Sequence, residues 1–302
     1  MAEKRDVTAR LADGMPAVLT VQQYVAASAQ VGYRHPDLTV HAGQLQDWYR
    51  SEDGMDLEAL LHDCDALEAA ASAADEAIQV QDRQRAALMF FIYTLLGSLP
   101  LLLAIIGLYL SSGTFDMRVW IDMPPLTGIA AMLALIAMLF TFAVKIPAFP
   151  VHTWLPAAHV QAPTAGSVIL AGVMLKFGTY GLVRFALQMT PEAFAQAGQV
   201  ILAVGVVSAL YGAFAALAQS DLKKMIAYTS INHMGYVVMG VAVAALTVDL
   251  RIRTIALDGA TLQMVSHGLV TGALFFLLGM LQDRAHSRDM SEFGGLLGRV
   301  PW

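Results

Sequence analysis

Residues 140–159, FTFAVKIPAFPVHTWLPAAH, interrupt a long apolar run with one lysine, three prolines and two histidines. A lysine at the centre of a bilayer costs roughly 2.5 to 3.5 kcal/mol, and a proline inside a helix removes a backbone hydrogen-bond donor. Irregular backbone at membrane depth persists only where protein covers it or where it faces a water-filled cavity. The stretch therefore predicts a broken transmembrane helix with a polar pocket around Lys145.

Apolar runs of membrane-spanning length lie on both sides of this stretch. About 20 residues of helix cross the roughly 30 Å hydrocarbon core, and the run at 126–158 is too long for one straight span. The sequence predicts six spans: 88–110, 126–158 with an interruption, 165–187, 198–218, 225–248 and 260–281. We expect an all-α fold, a polytopic transmembrane helix bundle of six spans with one broken helix, preceded by a small soluble helical region.

Charge divides the chain of 302 residues near residue 85. Residues 1–85 hold 15 acidic and 7 basic side chains, whereas residues 86–302 hold 9 and 11, so the net charge of −6 arises in the first part. We predict an acidic soluble helical segment at 1–85, of unknown function, and a transmembrane domain at 86–302. The acidic faces of the first segment fit either a solvated helix surface or a docking site for a partner.

The acidic segment carries helix signals but no calcium loop. Apolar residues recur at helical spacing from Leu57 to Ile78 behind Asp56, a candidate N-cap, and a second helix is predicted over residues 18–31. If Gly54 took the sixth position of a calcium loop, Tyr49 and Leu60 would occupy the first and twelfth positions, where carboxylates are required. Calcium binding is therefore rejected.

Basic residues next to the spans predict the orientation, because lysine and arginine accumulate on the cytoplasmic side of a membrane. Three basic residues fall on one side: Arg118, Arg251 and Arg253. Seven fall on the other: Arg83, Arg85, Lys223, Lys224, Arg284, Arg288 and Arg299. Both termini are therefore predicted to be cytoplasmic.

Four residues within the spans have the chemistry of a proton relay. Lys176 stands near the middle of the span at 165–187, too far from either interface to reach water by extending its side chain. Lys145 adjoins the predicted break, and His233 and His267 each lie about two turns into a span. Ionisable residues inside membranes commonly mark ion and proton pathways, and histidine suits the intermediate steps.

Other site chemistry is not indicated. His152 and His159 stand seven residues apart without a cysteine or carboxylate cluster, so no metal site is predicted. The chain shows no phosphate-binding glycine loop, no nucleophile elbow and no Cys-x-x-Cys motif, and we expect no redox cofactor and no nucleic-acid partner. Gly178, Tyr180 and Gly181 are interpreted as close-packing residues of a membrane helix.

Four motifs carry a family resemblance: FAVKIPAFPVHTWLPAAHVQAPTAGSVILAGVMLKFGTYGLVRF, AQSDLKKMIAYTSINHMGYV, LQMVSHGL and DRAHSRDMSEFGGL. They resemble the antiporter-like membrane subunits of respiratory complex I, the NADH-quinone oxidoreductase, and among these they are most similar to subunit M. The resemblance covers about residues 84–302. Cation/proton antiporter subunits and membrane-bound hydrogenase subunits share the first motifs, whereas the last motif, with FFIYTLLGS at 90–98, favours subunit M.

The resemblance implies a function and a set of partners. The family fold contains two inverted repeats of five helices, and its members translocate protons, driven by quinone reduction elsewhere in the complex. The resemblance implies that this subunit has no redox group, that other subunits bind NADH and quinone, and that the partners are other complex I membrane subunits and the lipid of the bacterial inner membrane. Lys145 resembles the lysine on the broken seventh helix, Lys176 that on the eighth, and His233 and His267 resemble histidines on the central hydrophilic axis.

The chain also departs from the family pattern. Its six spans match the sixth to eleventh of fourteen family helices, so the fifth helix, whose glutamate pairs with the lysine matching Lys145, has no counterpart here. The nearest carboxylates, Asp116, Asp122 and Asp221, lie in predicted loops. Lys145 is therefore expected to lack a partner within this chain.

Three interpretations remain open from the sequence. The chain is a working translocation subunit whose other helices come from another polypeptide, or a truncated or fused product without transport activity. The third is a cation/proton antiporter subunit of the same superfamily, since loop carboxylates and backbone carbonyls can coordinate sodium.

Overall fold

The computed structural model describes the backbone of residues 57–294 and the side chains of residues 71–73 and 76–294. Predictions for the helix at 18–31, for the rejected calcium loop, for the Asp56 cap and for the arrangement of the acidic segment lie outside these ranges. The chain divides into two compact units between Gln81 and Asp82. The second unit, from Asp82 onward, contains every residue proposed for the relay.

Eight helices, numbered in chain order, make up the described residues, which contain no β-strand. They are α1 (Leu57–Ser112), α2 (Met117–Asp122), α3 (Gly128–Lys145), α4 (Trp154–Gln161), α5 (Thr164–Leu187), α6 (Pro191–Leu217), α7 (Leu222–Leu246) and α8 (Leu250–Ala285). A 3-10 turn at Met290–Glu292 follows them.

Six of these helices are long and apolar enough to cross a membrane, namely Ala71–Ser112 of α1 together with α3, α5, α6, α7 and α8. This confirms the predicted fold class, an all-α bundle of six spans. Many of the large apolar side chains are exposed, among them Leu103 and Leu110 on α1 and Ile129 on α3. In a bilayer such exposure is favourable, because lipid tails are as apolar as the side chains.

The break predicted from the prolines lies where the sequence placed it. Helix α3 ends at Lys145, irregular backbone follows, and the helix resumes as α4 at Trp154. Side chains bind the backbone groups released by the break: the Trp154 Nε1–H donates to the Val144 carbonyl (3.0 Å), and the Phe149 N–H donates to Ser208 Oγ (2.9 Å). These bonds reduce the number of unpaired backbone groups at membrane depth, while Phe149, Pro150 and Thr153 of the irregular segment are exposed.

Helices α6 and α8 begin earlier than their apolar runs. Helix α6 starts at Pro191, not near residue 198, and α8 starts at Leu250, not near residue 260. Their first turns contain polar residues that lower the hydropathy but do not prevent helix formation. Asp249 caps α8 by accepting from the Arg251 N–H at 2.8 Å, which satisfies one of the unpaired donors at a helix start.

The early start of α8 places an acidic residue inside this helix. Asp258 precedes the predicted span 260–281, but it lies within α8 and is exposed. Asp116 and Asp221 are N-cap residues of α2 and α7, and Asp122 ends α2.

Helices α7 and α8 form a hairpin with contacts at both ends. At the turn between them, Arg253 Nε donates to the Ala244 carbonyl (2.9 Å) and its Nη2 donates to the Thr247 carbonyl (3.2 Å), both at the end of α7. At the other end, the Leu222 N–H donates to the Arg288 carbonyl at 3.0 Å. The cation at Arg253 also complements the negative end of the α7 dipole.

Close contact between α6 and α7 depends on glycine. A Cβ added to Gly235 of α7 would lie 2.7 Å from the Ala209 nitrogen and 2.8 Å from the Gly205 carbonyl oxygen, both in the α6 backbone. Small residues at such positions let membrane helices pack backbone to backbone, where dispersion forces supply much of the association energy.

The first prediction compares two glycines. Gly235→Ala should lower the free energy of unfolding by about 1–3 kcal/mol, because the added methyl group meets backbone atoms that cannot turn aside. Gly259→Ala, in α8, should cause no loss, because a Cβ there meets nothing within 4 Å and alanine is the better helix former. Thermal unfolding in detergent measures both. Equal stability of the two variants would contradict the packing described for α6 and α7.

Candidate functional site

Lys176 occupies the middle of α5 and contacts a second helix. Its Nζ lies 2.6 Å from His267 Nδ1 of α8 and also donates to the Ala171 carbonyl, one turn earlier in α5. The side chain is partly buried. An ammonium group at membrane depth thus finds two partners within the protein, which offsets part of its cost of insertion.

The helix around Lys176 is not a regular α-helix. Leu170–Met174 and Leu182–Leu187 are π-helical, and the α-helical segment Leu175–Gly181 lies between them. A π-helical turn widens the helix and shifts the hydrogen-bond pattern, and such turns are frequent at functional sites. The first π-helical turn contains Ala171, whose carbonyl accepts the Lys176 hydrogen bond.

Two glycines let α5 and α8 approach closely enough for this contact. A Cβ added to Gly268 would lie 2.9 Å from the Gly172 carbonyl oxygen and 3.4 Å from Lys176 Cε. A Cβ at 268 would therefore push against the α5 backbone and would touch the lysine side chain at van der Waals distance. Because Gly268 directly follows His267, the same close approach that needs glycine places the histidine against Lys176.

His267 lies between Lys176 and His233. The two imidazole rings lie 5.6 Å apart between centroids, at an angle of 66°. His233 Nδ1 is 3.1 Å from Gln263 Nε2, which stands one turn before His267 in α8. His267 is 3% exposed, and its Nε2 has no hydrogen-bond partner among the described residues. The structure thus brings together three of the four predicted relay residues.

Lys145 lies apart from these three residues. It is the last residue of α3 and is partly buried, and its ammonium group forms no hydrogen bond or ion pair with any residue that the structure describes. It packs against α5 where Gly178 leaves room: a Cβ at 178 would lie 2.9 Å from Lys145 Cβ and 2.8 Å from Ile146 Cγ1.

The close-packing interpretation holds for the two glycines near Lys176 but not for the tyrosine between them. A Cβ at Gly178 or Gly181 would clash with α3 residues. Tyr180 is 56% exposed, so its assignment to close packing was wrong. It lies on the outward face of α5.

The sequence did not predict the burial of two histidines or the contact that Gln263 makes with His233. His159 is fully buried, neither of its ring nitrogens has a partner among the described residues, and its ring stacks on Phe275 at 4.4 Å. His152, 3% exposed, contacts Tyr211 at 4.7 Å between rings. Gln263 was detectable, because residues four apart share a helix face and it precedes His267 by four. Within residues 71–73 and 76–294, no group of three or more histidine, cysteine and acidic side chains could hold a metal ion.

Comparison with known proteins identifies the family. The family model described as NADH:quinone oxidoreductase/Mrp antiporter, transmembrane, matches residues 76–302, about three quarters of the chain. The chain belongs to this family. It is therefore a multi-pass membrane protein, and the resemblance drawn from the four motifs is confirmed.

Individual relatives agree with the family assignment. The chain is 44% identical over 233 residues to NADH-quinone oxidoreductase subunit M of Rhodobacter capsulatus, covering 73% of this chain and 44% of that protein. It is 42% identical over 226 residues to subunit M of Escherichia coli K12, covering 73% of this chain and 43% of that protein. The chain thus spans less than half the length of these relatives.

Solved structures show the same fold. A chain of respiratory complex I from Thermus thermophilus with bound NADH matches with a TM-score of 0.66 and 35% identity, over 72% of this chain and 45% of that chain. A chain of the Mrp complex from Dietzia sp. DQ12-45-1b matches with a TM-score of 0.61 over 70% of this chain and 38% of that chain. The second match, at 22% identity, shows the fold alone.

The second prediction concerns the approach of α8 to α5. Gly268→Ala should move α8 away from Gly172 and lengthen the hydrogen bond between Lys176 and His267. The ¹⁵N resonance of His267 Nδ1 should then shift, since that atom accepts the bond. Gly272→Ala is the matched control in the same helix, because a Cβ there meets its nearest atom at 3.9 Å. An unchanged resonance in Gly268→Ala would mean that these glycines do not set the contact.

Proposed function

We propose that this chain is a proton-translocating membrane subunit of an NADH:quinone oxidoreductase, and that Lys176, His267 and His233 carry protons through it. The observation that carries the proposal is the 2.6 Å contact between Lys176 Nζ and His267 Nδ1 in the middle of the bundle. The family membership of the chain supports the proposal, since relatives at 42–44% identity are named NADH-quinone oxidoreductase subunit M.

The geometry allows a balanced proton transfer. A charged Lys176 donates one N–H to a neutral His267 Nδ1; when that proton moves across, the lysine becomes a neutral amine and the histidine an imidazolium. The imidazolium then loses the other proton from Nε2, the ring atom without a partner in the described part of the chain. Histidine is suited to this step because its two nitrogens can gain and lose protons on opposite sides of the ring.

The next acceptor in this scheme is His233. With ring centroids 5.6 Å apart, the two histidines are close enough for one water molecule to join them. Gln263 orients the His233 ring through Nδ1 and leaves its Nε2 available. The proposed proton route therefore passes from Lys176 on α5 to His267 on α8 and then to His233 on α7.

Lys145 enters the proposal as a second proton site at the break. Its partner in this scheme is a carboxylate outside the described residues, from the rest of a longer protein or from another polypeptide. The alternative of a cation/proton antiporter subunit is less well supported, because the Mrp match has 22% identity whereas the complex I match has 35%. In a truncated or fused chain, the same residues would lie in a bundle without transport activity.

The proposal extends to orientation and cofactors. Lys223 and Arg288 lie together at one end of the bundle, where both contact residues 160–162. Lys224 and Arg284 are nearby in sequence, so positive charge is concentrated at this end of the bundle. Basic residues accumulate on the cytoplasmic side of a membrane, which supports the predicted cytoplasmic location of both termini. In the proposed assembly other subunits bind NADH and quinone, and this chain has no redox group of its own.

The third prediction tests the relay. In the complete assembly, Lys176→Ala should lower the number of protons pumped per quinone reduced, because alanine cannot donate to His267. Lys224→Ala is the matched control: Lys224 is an exposed lysine in the first turn of α7. Proton uptake by vesicles, recorded beside quinone reduction, measures both. Normal pumping by Lys176→Ala in an assembly with normal subunit content would disprove the relay.

A further inference from the structure

The backbone carbonyls at the end of α4 accept hydrogen bonds from two cationic side chains that belong to other parts of the chain. Lys223 Nζ donates to the Ala162 carbonyl (2.7 Å), and Arg288 Nη1 donates to the Val160 carbonyl (3.0 Å). The last carbonyls of a helix have no intrahelical donor, and a cation there is also favoured by the helix dipole. Two charged donors thus satisfy the end of a helix only eight residues long.

The segments that supply these cations are themselves joined. The Leu222 N–H donates to the Arg288 carbonyl (3.0 Å), and the Met290 N–H donates to the Ser220 carbonyl (3.0 Å). Asp221 lies 3.6 Å from Arg288 Nε, and its carboxylate also caps the start of α7. The segments before α7 and after α8 are therefore bonded to each other, and each supplies one of the cations that bind the end of α4.

Burial distinguishes Lys223 from an ordinary surface lysine. It is 5% exposed, so its ammonium group has little water around it and depends on the hydrogen bond to Ala162. A hydrogen bond to a charged group contributes more than a neutral one, and removing one partner leaves the other unsatisfied. The Arg288–Asp221 pair is partly exposed, at 31% and 20% for the two side chains, and is weaker because solvent screens it.

Helix α4 needs such contacts to keep its position. An isolated helix of eight residues is marginal in stability, and proline-containing irregular backbone separates α4 from α3. Its first residue, Trp154, binds the Val144 carbonyl at the end of α3. Its last turn holds His159 against Phe275 of α8. The start of α4 is thus bonded to α3, and carbonyls near its end accept hydrogen bonds from Lys223, Arg288 and the neutral Ser167 Oγ.

We propose that Asp221, Lys223 and Arg288, here called the α4 clamp, position the second half of the broken span, with Lys223 and Arg288 as positioning residues that touch neither Lys176 nor His267. The proposal deepens the proposed function and rests on it, because α4 belongs to the broken span that adjoins the relay. The α4 clamp keeps α4 packed on α8 across the irregular backbone at 146–153, which separates α4 from α3.

The experiment measures the position of α4 directly. In a Cys64→Ser background, which removes the only cysteine, Ala158→Cys places a thiol on a partly buried position of α4. Lys223→Gln with Arg288→Gln removes both positive charges of the α4 clamp. We expect a water-soluble thiol reagent to label the thiol at position 158 several-fold faster in this double variant, in the full chain in membranes. Lys223→Arg with Arg288→Lys should restore slow labelling, because both charged donors return.

Two controls make the result specific. Lys224→Gln with Arg284→Gln removes the same charge from exposed neighbours and should leave labelling slow. Thr190→Cys, used in place of Ala158→Cys, reports on a residue 2% exposed beyond the opposite end of α5. Faster labelling at both reporters in the clamp variant would indicate general loosening and would overturn the positioning role, as would unchanged labelling at position 158.

The outcome is separable from that of the relay. In the complete assembly, Lys223→Gln with Arg288→Gln should reduce pumping and the arginine–lysine exchange should recover it. If Lys176→Ala leaves pumping unchanged, the proposed function fails while a difference in labelling at position 158 still stands. If labelling at position 158 is unchanged while Lys176→Ala abolishes pumping, the clamp alone is wrong.

Discussion

The hydrocarbon core of a membrane offers no water to an unpaired polar group, and the arrangement of this bundle follows from that constraint. The break after Lys145 persists because protein groups bind the backbone it exposes: the Trp154 indole binds a carbonyl of α3, and Ser208 accepts the Phe149 N–H. The same constraint directs Lys176 inward, where a carbonyl and an imidazole accept its hydrogen bonds. A polar side chain at this depth therefore takes its hydrogen-bond partners from neighbouring helices.

Close helix contact is the second condition for the site. Between lipid-embedded helices the hydrophobic effect contributes little, so packing and hydrogen bonds must hold them together. Gly172 and Gly268 let α5 and α8 meet beside Lys176, and Gly178 gives the end of α3 room on α5. Glycines therefore flank the polar residues, and the contact between Lys176 and His267 depends on residues that have no polar side chain themselves.

The parts of this structure that sequence could predict are those set by local physics. Span length and hydropathy located six helices, and proline chemistry located the break next to Lys145. The helix starts at Pro191 and Leu250 were missed, because polar first turns are stabilised by caps and packing that hydropathy does not register. The π-helical turns around Lys176 were missed as well.

For the candidate site too, the position of a residue in its span could be predicted from the sequence, whereas its contacts with other helices could not. The central position of Lys176 in its span followed from counting residues, but its pairing with His267 depends on how α5 and α8 cross. The burial of His159 and His152 depends on the course of the chain after the break, which no spacing rule supplies. Gln263 was within reach of a helical-spacing argument from His267.

The hairpin of α7 and α8 carries a consequence for gating. Arg253 fastens its turn to the end of α7, and the Leu222–Arg288 bond fastens the open end. Because hydrogen bonds join α7 and α8 at both ends of the hairpin, sliding one helix along the other would break these bonds. The distance between His233 and His267 is therefore not changed by such sliding. In the proposed relay, proton exchange between these two rings is therefore controlled by ring rotation and by the water between them, rather than by the slower displacement of whole helices.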